Sequence, residues 1–405
     1  MKFSYYGLNR GRKISGIVEA ASYDEALLFL YDKGIEAQEV VEASALDEIK
    51  EKLNHFNRRF AKVKLSELIV FTRQFATLFS AGVPIGVILE RLSEQTVSVK
   101  LKDIATVIKN DVNSGMSLSE AFSKHKNVFS PLYINMLKVG EESGTLDIVL
   151  ARLANILETE LDTRNKIKTA TRYPKMVIGA IVIAFSIIIT FVIPKFVSLF
   201  SHFKAQLPLP TRILIGINYV FHHYWWMVLI AVIAFIFAFR EYRKTEKGKY
   251  TIDRYVLKIP VIGSLIHKIY ISRMIRIFGL LYKSGIAVID ALKIVSNVTG
   301  NIIAKQAVDV IRMDVEGGAT VSTPFSRSSF FPNVVSDMIS VGEETGRLDE
   351  MLFKAADYYD EEIDYAIKNL SSAIEPILLV FIAGMVLLLA LGVFLPMWNM
   401  VNLIH

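Results

Sequence analysis

The side chains that could do chemistry in this chain are few and scattered. Cysteine is absent, which excludes disulfides, thiolate metal sites and cysteine nucleophiles. No Gly-x-x-x-x-Gly-Lys-Ser/Thr loop is present to cradle phosphates, so the chain is not expected to hydrolyse ATP. The seven histidines are dispersed and form no His-Glu-x-x-His pair, so neither zinc nor any other cofactor is expected. No serine sits in a nucleophile elbow. What recurs instead is an acidic turn. VGEESGTLD runs from Val139 to Asp147 and VGEETGRLD from Val341 to Asp349, 202 residues later. Each carries two glycines around a carboxylate: Gly140, Glu141 and Gly144 in the first, Gly342, Glu343 and Gly346 in the second. A helix is expected to end near Gly144, where glycine takes a positive φ at little cost. The next helix starts near Thr145, with Asp147 in its first turn, where the helix dipole favours negative charge. The carboxylate has two open uses, a contact within the bundle or a contact with a partner protein.

The elements around these turns repeat as well. At an offset of 202, Met136 matches Met338, Leu150 matches Leu352, Glu160 matches Glu362, Pro174 matches Pro376 and Pro194 matches Pro396. Upstream the offset is 203: Gly82 matches Gly285, Asp111 matches Asp314, Gly115 matches Gly318 and Phe122 matches Phe325. Leu68, Phe71, Phe75, Leu78 and Phe79 lie at helical spacing, and so do Ile271, Met274, Phe278, Leu281 and Tyr282. Each set predicts one buried stripe, stopped by Gly82 or Gly285. Leu146, Val149, Leu150, Leu153, Ile156, Leu157 and Leu161 predict another. Ser117 and Glu120 form a capping box in the first copy. The second copy has Thr323-Pro324, which can open a helix with proline at its first position.

Three stretches are long and apolar enough to cross a membrane: Met176 to Ile193, Ile213 to Phe239, and Pro376 to Ile404. Half the chain is hydrophobic (52% of 405 residues), and a buried soluble helix of such length normally keeps a polar face. Tyr224, Trp225 and Trp226 read as an interfacial aromatic belt. Arg164, Lys166, Lys168, Arg172 and Lys175 precede the first span; Arg240, Arg243, Lys244, Lys247 and Lys249 follow the second. By the positive-inside rule both clusters are cytoplasmic, with the N-terminus inside and the C-terminus outside. No cleaved signal is apparent in MKFSYYGLNRGRKISG. The net charge of +6 is too mild to argue for direct nucleic-acid binding. Lys2 to Tyr6 and Ile14 to Ala20 are strand candidates, Asp24 to Lys33 a helix and Glu36 to Val41 a further strand. A charged linker helix is expected from about Ala43 to Val63.

The expected fold is therefore a mainly α membrane protein. A small N-terminal α+β module with its linker (1–60) precedes two tandem homologous cytoplasmic helical bundles (61–172 and 240–374). Membrane helices are expected at 173–194, 213–239 and 375–400, with a periplasmic loop at 195–212. A transporter or channel is the alternative from another class. It would need polar groups at membrane depth, and only Ser186 and Thr190 stand out in the first span, with none in the third before Asn399. Glu375, just before Pro376, reads as an interfacial helix start.

FTRQFATLFSAGVP (71–84), VGEESGTLD, TATRYP (169–174), IPKFVSLFSHFKAQLPLPT (193–211), IPVIGSL (259–265), LLYKSGIAVIDAL (280–292), VGEETGRLD and IEP (374–376) together resemble the PilC/GspF family. These are inner-membrane platform proteins of type IV pilus and type II secretion systems. The resemblance implies six-helix cytoplasmic bundles and a homo-oligomer in the bacterial inner membrane. It also implies a non-enzymatic platform coupling a cytoplasmic assembly ATPase to pilins or pseudopilins, beside membrane lipid and other inner-membrane machinery proteins. The second copy departs from the family's pattern at Gly317 to Phe325, where its third and fourth helices are expected.

Overall fold

The structure, a computed structural model, describes residues 2–9, 12–43, 62–192, 194–195 and 209–401. The linker helix expected near 43–63 lies almost wholly outside the described residues. These fall into two compact units, one of Met1–Phe129 with Met136–Leu157 and one of Ser130–Asn135 with Glu158–His405.

In the first unit, strands β1 (Lys2–Asn9), β2 (Arg12–Glu19) and β3 (Ile35–Glu42) form an antiparallel sheet in the order β2-β1-β3. Helix α1 (Tyr23–Asp32) is capped by the Ser22 side chain. Phe3, Val18, Ala26, Leu30, Ile35 and Val40 are buried together, so the alternating apolar residues of the strands face the apolar stripe of one helix. This is the small α+β module read from the sequence.

The first bundle has helices α2 (Leu65–Ser80), α3 (Ile85–Gln95), α4 (Val99–Asn113), α5 (Leu118–Ser123), α6 (Pro131–Ser143) and α7 (Leu146–Ala170). The expected stripe on α2 is inside at Leu68, Phe71 and Phe75. Phe71 and Phe75 meet Phe122, which lies 4.5 Å from Phe129 between ring centroids. Each fully buried phenylalanine stabilises by about 1.5–3 kcal/mol.

The second unit repeats this order with α12 (Ile262–Lys283), α13 (Val288–Val298), α14 (Ile302–Glu316), α15 (Ser322–Arg327) and α16 (Asn333–Glu344). The last helix, α17, runs without interruption from Leu348 to Val401. Ile271, Met274, Phe278 and Leu281 of α12 are buried as the repeated stripe requires. The third and fourth helices of this copy, placed in question by the sequence at Gly317 to Phe325, are present as α14 and α15.

Between the bundles the chain forms α8 (Arg172–Ile187), a π-helical turn (Ile188–Val192), α9 (Leu209–His223), α10 (Trp225–Lys244) and α11 (Glu246–Lys258). Among the described residues three segments are long and apolar enough to cross a membrane: Leu146–Val192, Trp225–Lys244 and Leu348–Gly392. The middle span corrects the expectation. The uncharged stretch 213–239 is not one helix but parts of two. It breaks at Tyr224, whose φ is −123°. Helix α9 begins at Leu209, inside the expected loop 195–212, and its polar groups find backbone partners. Thr211 donates to the Gly392 carbonyl at 2.9 Å and Asn218 to the Ile189 carbonyl at 2.6 Å. The second bond satisfies a carbonyl in the π turn, where the ordinary helix ladder is interrupted. Helix α10 has no buried residue, as an all-round apolar membrane helix should.

Candidate functional site

The repeated acidic turn is a helix–helix corner in which the two glycines and the first glutamate have distinct jobs. In the first unit α6 ends at Ser143, and Gly144 takes φ = +68°. The Thr145 N–H then reaches back to the Gly140 carbonyl at 3.0 Å, closing the terminus with a six-residue bond. Gly140 serves a different purpose. A Cβ there would lie 3.0 Å from Leu146 Cα and 3.2 Å from Val149 Cβ, so its missing side chain lets α6 and α7 approach closely. In the second unit Gly346 also takes φ = +68°, and the Arg347 N–H reaches the Gly342 carbonyl at 2.9 Å. A Cβ on Gly342 would lie 2.9 Å from Leu348 Cα and 3.0 Å from Met351 Cβ.

The carboxylates face inward, away from the corner itself. Glu141 accepts the N–H groups of Leu118 and Ser119, the latter at 3.0 Å. Glu343 accepts Val321 N–H at 2.8 Å, Ser322 N–H at 3.1 Å and the Ser322 hydroxyl at 2.8 Å. Each glutamate thus satisfies the free N–H groups that open the short helix, α5 or α15. Burial pushes the Glu343 carboxyl up, but the two N–H groups and the hydroxyl outweigh it and hold it below its ordinary 4.5. Of the two uses open for these carboxylates, the one inside the bundle is occupied.

Ser117 supplies the expected cap of α5 and accepts the Glu120 N–H at 3.2 Å. In the second copy α15 starts at Ser322, and Pro324 is its third residue rather than its first. Proline is still tolerated there, because the first four N–H groups of a helix have no partner within it. The sequence did not reveal Ser322 as a partner of Glu343, since the two lie 21 residues apart. The faint signal was that the copy lacking a capping box keeps its glutamate.

Pro174 is buried in α8, three residues past the break at Thr171. Pro376 and Glu375 lie exposed inside α17, so Glu375 does not start a helix. That helix begins 27 residues earlier, at Leu348, and a single proline removes only one N–H from so long a ladder. In the second unit three helical stretches meet beside the spans. Leu265, Ile363 and Ile367 pack with Ile167, Ala170, Ile269 and Ala366. Lys166 pairs with Asp364 at 2.7 Å and Lys268 with Glu362 at 2.7 Å. Within the first span, Ser186 turns back on the Val182 carbonyl at 2.7 Å. Among the described residues no group of His, Cys, Asp or Glu is placed to hold a metal.

Two tandem helical bundles, the first followed after the break at Thr171 by an apolar span and the second ending in a helix that itself becomes one, define a duplicated membrane scaffold. The profile of type II secretion system protein F matches residues 71–194 and 274–396, and the chain belongs to that family. The two matched stretches begin 203 residues apart and end 202 apart, the same shift that the paired residues give. The chain is 35% identical to the type IV pilus assembly protein PilC of Thermus thermophilus, over 97% of this chain and 96% of the relative. It is 35% identical to the PilC protein of Pseudomonas aeruginosa over 85% and 92% of the two chains. It is 31% identical to type II secretion system protein F of Aeromonas hydrophila over 93% and 96%. Its three apolar helices and its family make it an inner-membrane protein.

Proposed function

We propose that the chain is the platform of a pilus or pseudopilus assembly machine, passing the movement of a cytoplasmic ATPase to pilin or pseudopilin subunits in the membrane. The observation that carries this reading is α17. One continuous helix, Leu348–Val401, serves both as the last helix of the second bundle and as a membrane span. A push on the bundle therefore arrives in the bilayer without crossing a flexible joint. The acidic corners lock the bundle that is pushed. The first bundle and the N-terminal module face the ATPase, with the N-terminus in the cytoplasm and the C-terminus in the periplasm. The spans meet the pilin helices, and copies of the chain associate side by side. Relatives named for pilus assembly and for type II secretion support the platform role equally.

The test is to insert Gly-Ser-Gly between Leu370 and Ser371, which uncouples bundle from span and leaves both sequences intact. Membrane abundance is expected to stay normal while filament assembly or secretion is lost. Full assembly with the flexible insert sinks the lever.

A further inference from the structure

Helix α11 joins the second membrane span to the second bundle, and its outward face is charged. A single residue, Thr245, separates it from the end of α10. A Cβ on Gly248 would collide with the Tyr242 carbonyl oxygen, so the first turn of α11 sits directly on the last turn of α10. Thr245 fixes this corner, donating to Tyr242 O at 2.7 Å and accepting the Gly248 N–H at 3.1 Å. Farther along, the buried Asp253 accepts the Ile302 N–H at 2.8 Å, tying α11 to the start of α14. The inner face is thereby anchored, and the direction of the outer face is set.

Lys247, Tyr250, Arg254 and Lys258 lie at helical spacing along that outer face, and all four are exposed. The three cations have no carboxylate within ion-pair distance among the described residues. Arg240 and Arg243, both exposed, precede it in the chain on the last turns of α10. Beside it stand Tyr255, Ile259 and Val261, at 67%, 44% and 44% exposure. Cations interleaved with aromatic and aliphatic side chains, starting within one turn of a membrane span, are the composition of a helix that rests at the headgroup level. An acidic protein surface would account for the cations but not for the exposed apolar residues between them.

We propose that this face of α11 binds the phosphate-bearing headgroups of anionic phospholipid in the leaflet where α10 ends. It would hold the second bundle at a fixed distance from the membrane.

The full-length protein in non-ionic detergent can be mixed with phosphatidylglycerol and phosphatidylcholine, and the bound lipids counted by native mass spectrometry. The protein is expected to prefer phosphatidylglycerol. K247Q/R254Q/K258Q should reduce that preference about five-fold for each charge removed. K247R/R254K/K258R, which keeps the charges, should retain it and so separates charge from folding. Inorganic phosphate at the same concentration should not displace the lipid; if it does, the site is a free-anion site and the proposal fails. An unchanged preference in the glutamine variant also overturns it.

Discussion

Glu343→Gln removes the charge of the carboxylate that opens α15 and keeps its shape. The glutamate accepts three donors, at 2.8, 3.1 and 2.8 Å. A glutamine carbonyl in the place of Oε2 keeps both Ser322 contacts without the charge, and the N–H₂ group is set against the Val321 N–H, so one of the three contacts is lost and the other two are weakened. Hydrogen bonds to a charged group stabilise by about 1.5–3 kcal/mol each. Glu343 is half-buried and water can replace part of what is lost, so a net cost of about 2–3 kcal/mol is expected. The opening of α15 should become roughly 30- to 150-fold more favourable. Hydrogen exchange of the full-length protein, read on peptides covering 321–327, measures this directly. The peptide covering α13 serves as the internal control. If exchange across 321–327 is unchanged, the carboxylate is not what holds this helix start. A side chain waiting for a partner would leave exchange of the isolated protein untouched, so the assay separates the two uses.

Other expectations follow from the same corners. Gly144→Ala and Gly346→Ala meet open space but force an alanine into φ = +68°; each should cost about 1 kcal/mol or somewhat more in thermal unfolding of the detergent-solubilised protein. Gly342→Ala has no such backbone penalty and instead drives a methyl against Leu348, so about 1–3 kcal/mol from overpacking is expected, with exchange rising in both α16 and α17. Because the folded Glu343 carboxyl lies below its ordinary 4.5, its contribution is complete above about pH 4.5 and fades as pH falls through the folded value; wild-type protection of 321–327 should weaken there while that of Glu343→Gln stays level. Lys166→Met should cost no more than about 1 kcal/mol, because both ends of the Lys166–Asp364 pair are substantially exposed, at 40% and 43%.

Much of the fold was legible because helical periodicity and duplication each test the other. The stripe of Leu68, Phe71 and Phe75 gains weight when Ile271, Met274 and Phe278 repeat it, and glycine marks both helix ends. The sequence also pointed to Glu141 and Glu343 without revealing their work. Their partners are backbone N–H groups, which every residue carries, so no letter announces them. Hydropathy misplaced the second span for a related reason. It weighs Thr211 and Asn218 as mildly polar, but it does not register that both bond to carbonyls of other helices and so draw α9 out of line with α10. Glu375 misled because proline so often opens a helix, whereas α17 was already 27 residues long when it reached Glu375.

The one-residue difference between the copies lies between the Phe122–Phe325 match and the Met136–Met338 match, and the offset of 202 then holds as far as Pro396. In a loop, a lost residue is absorbed by a change of path. In a continuous helix it turns everything downstream by about 100° and shifts it by about 1.5 Å. From Leu348 onward the side chains that grip the bundle and those that meet the bilayer share a single angular register, like the teeth at the two ends of a key. Length changes are therefore tolerable on the bundle side of α16 and not along the shaft. An insertion between Leu348 and Leu391 would leave both ends correctly folded and point the membrane face of the helix at the wrong neighbour.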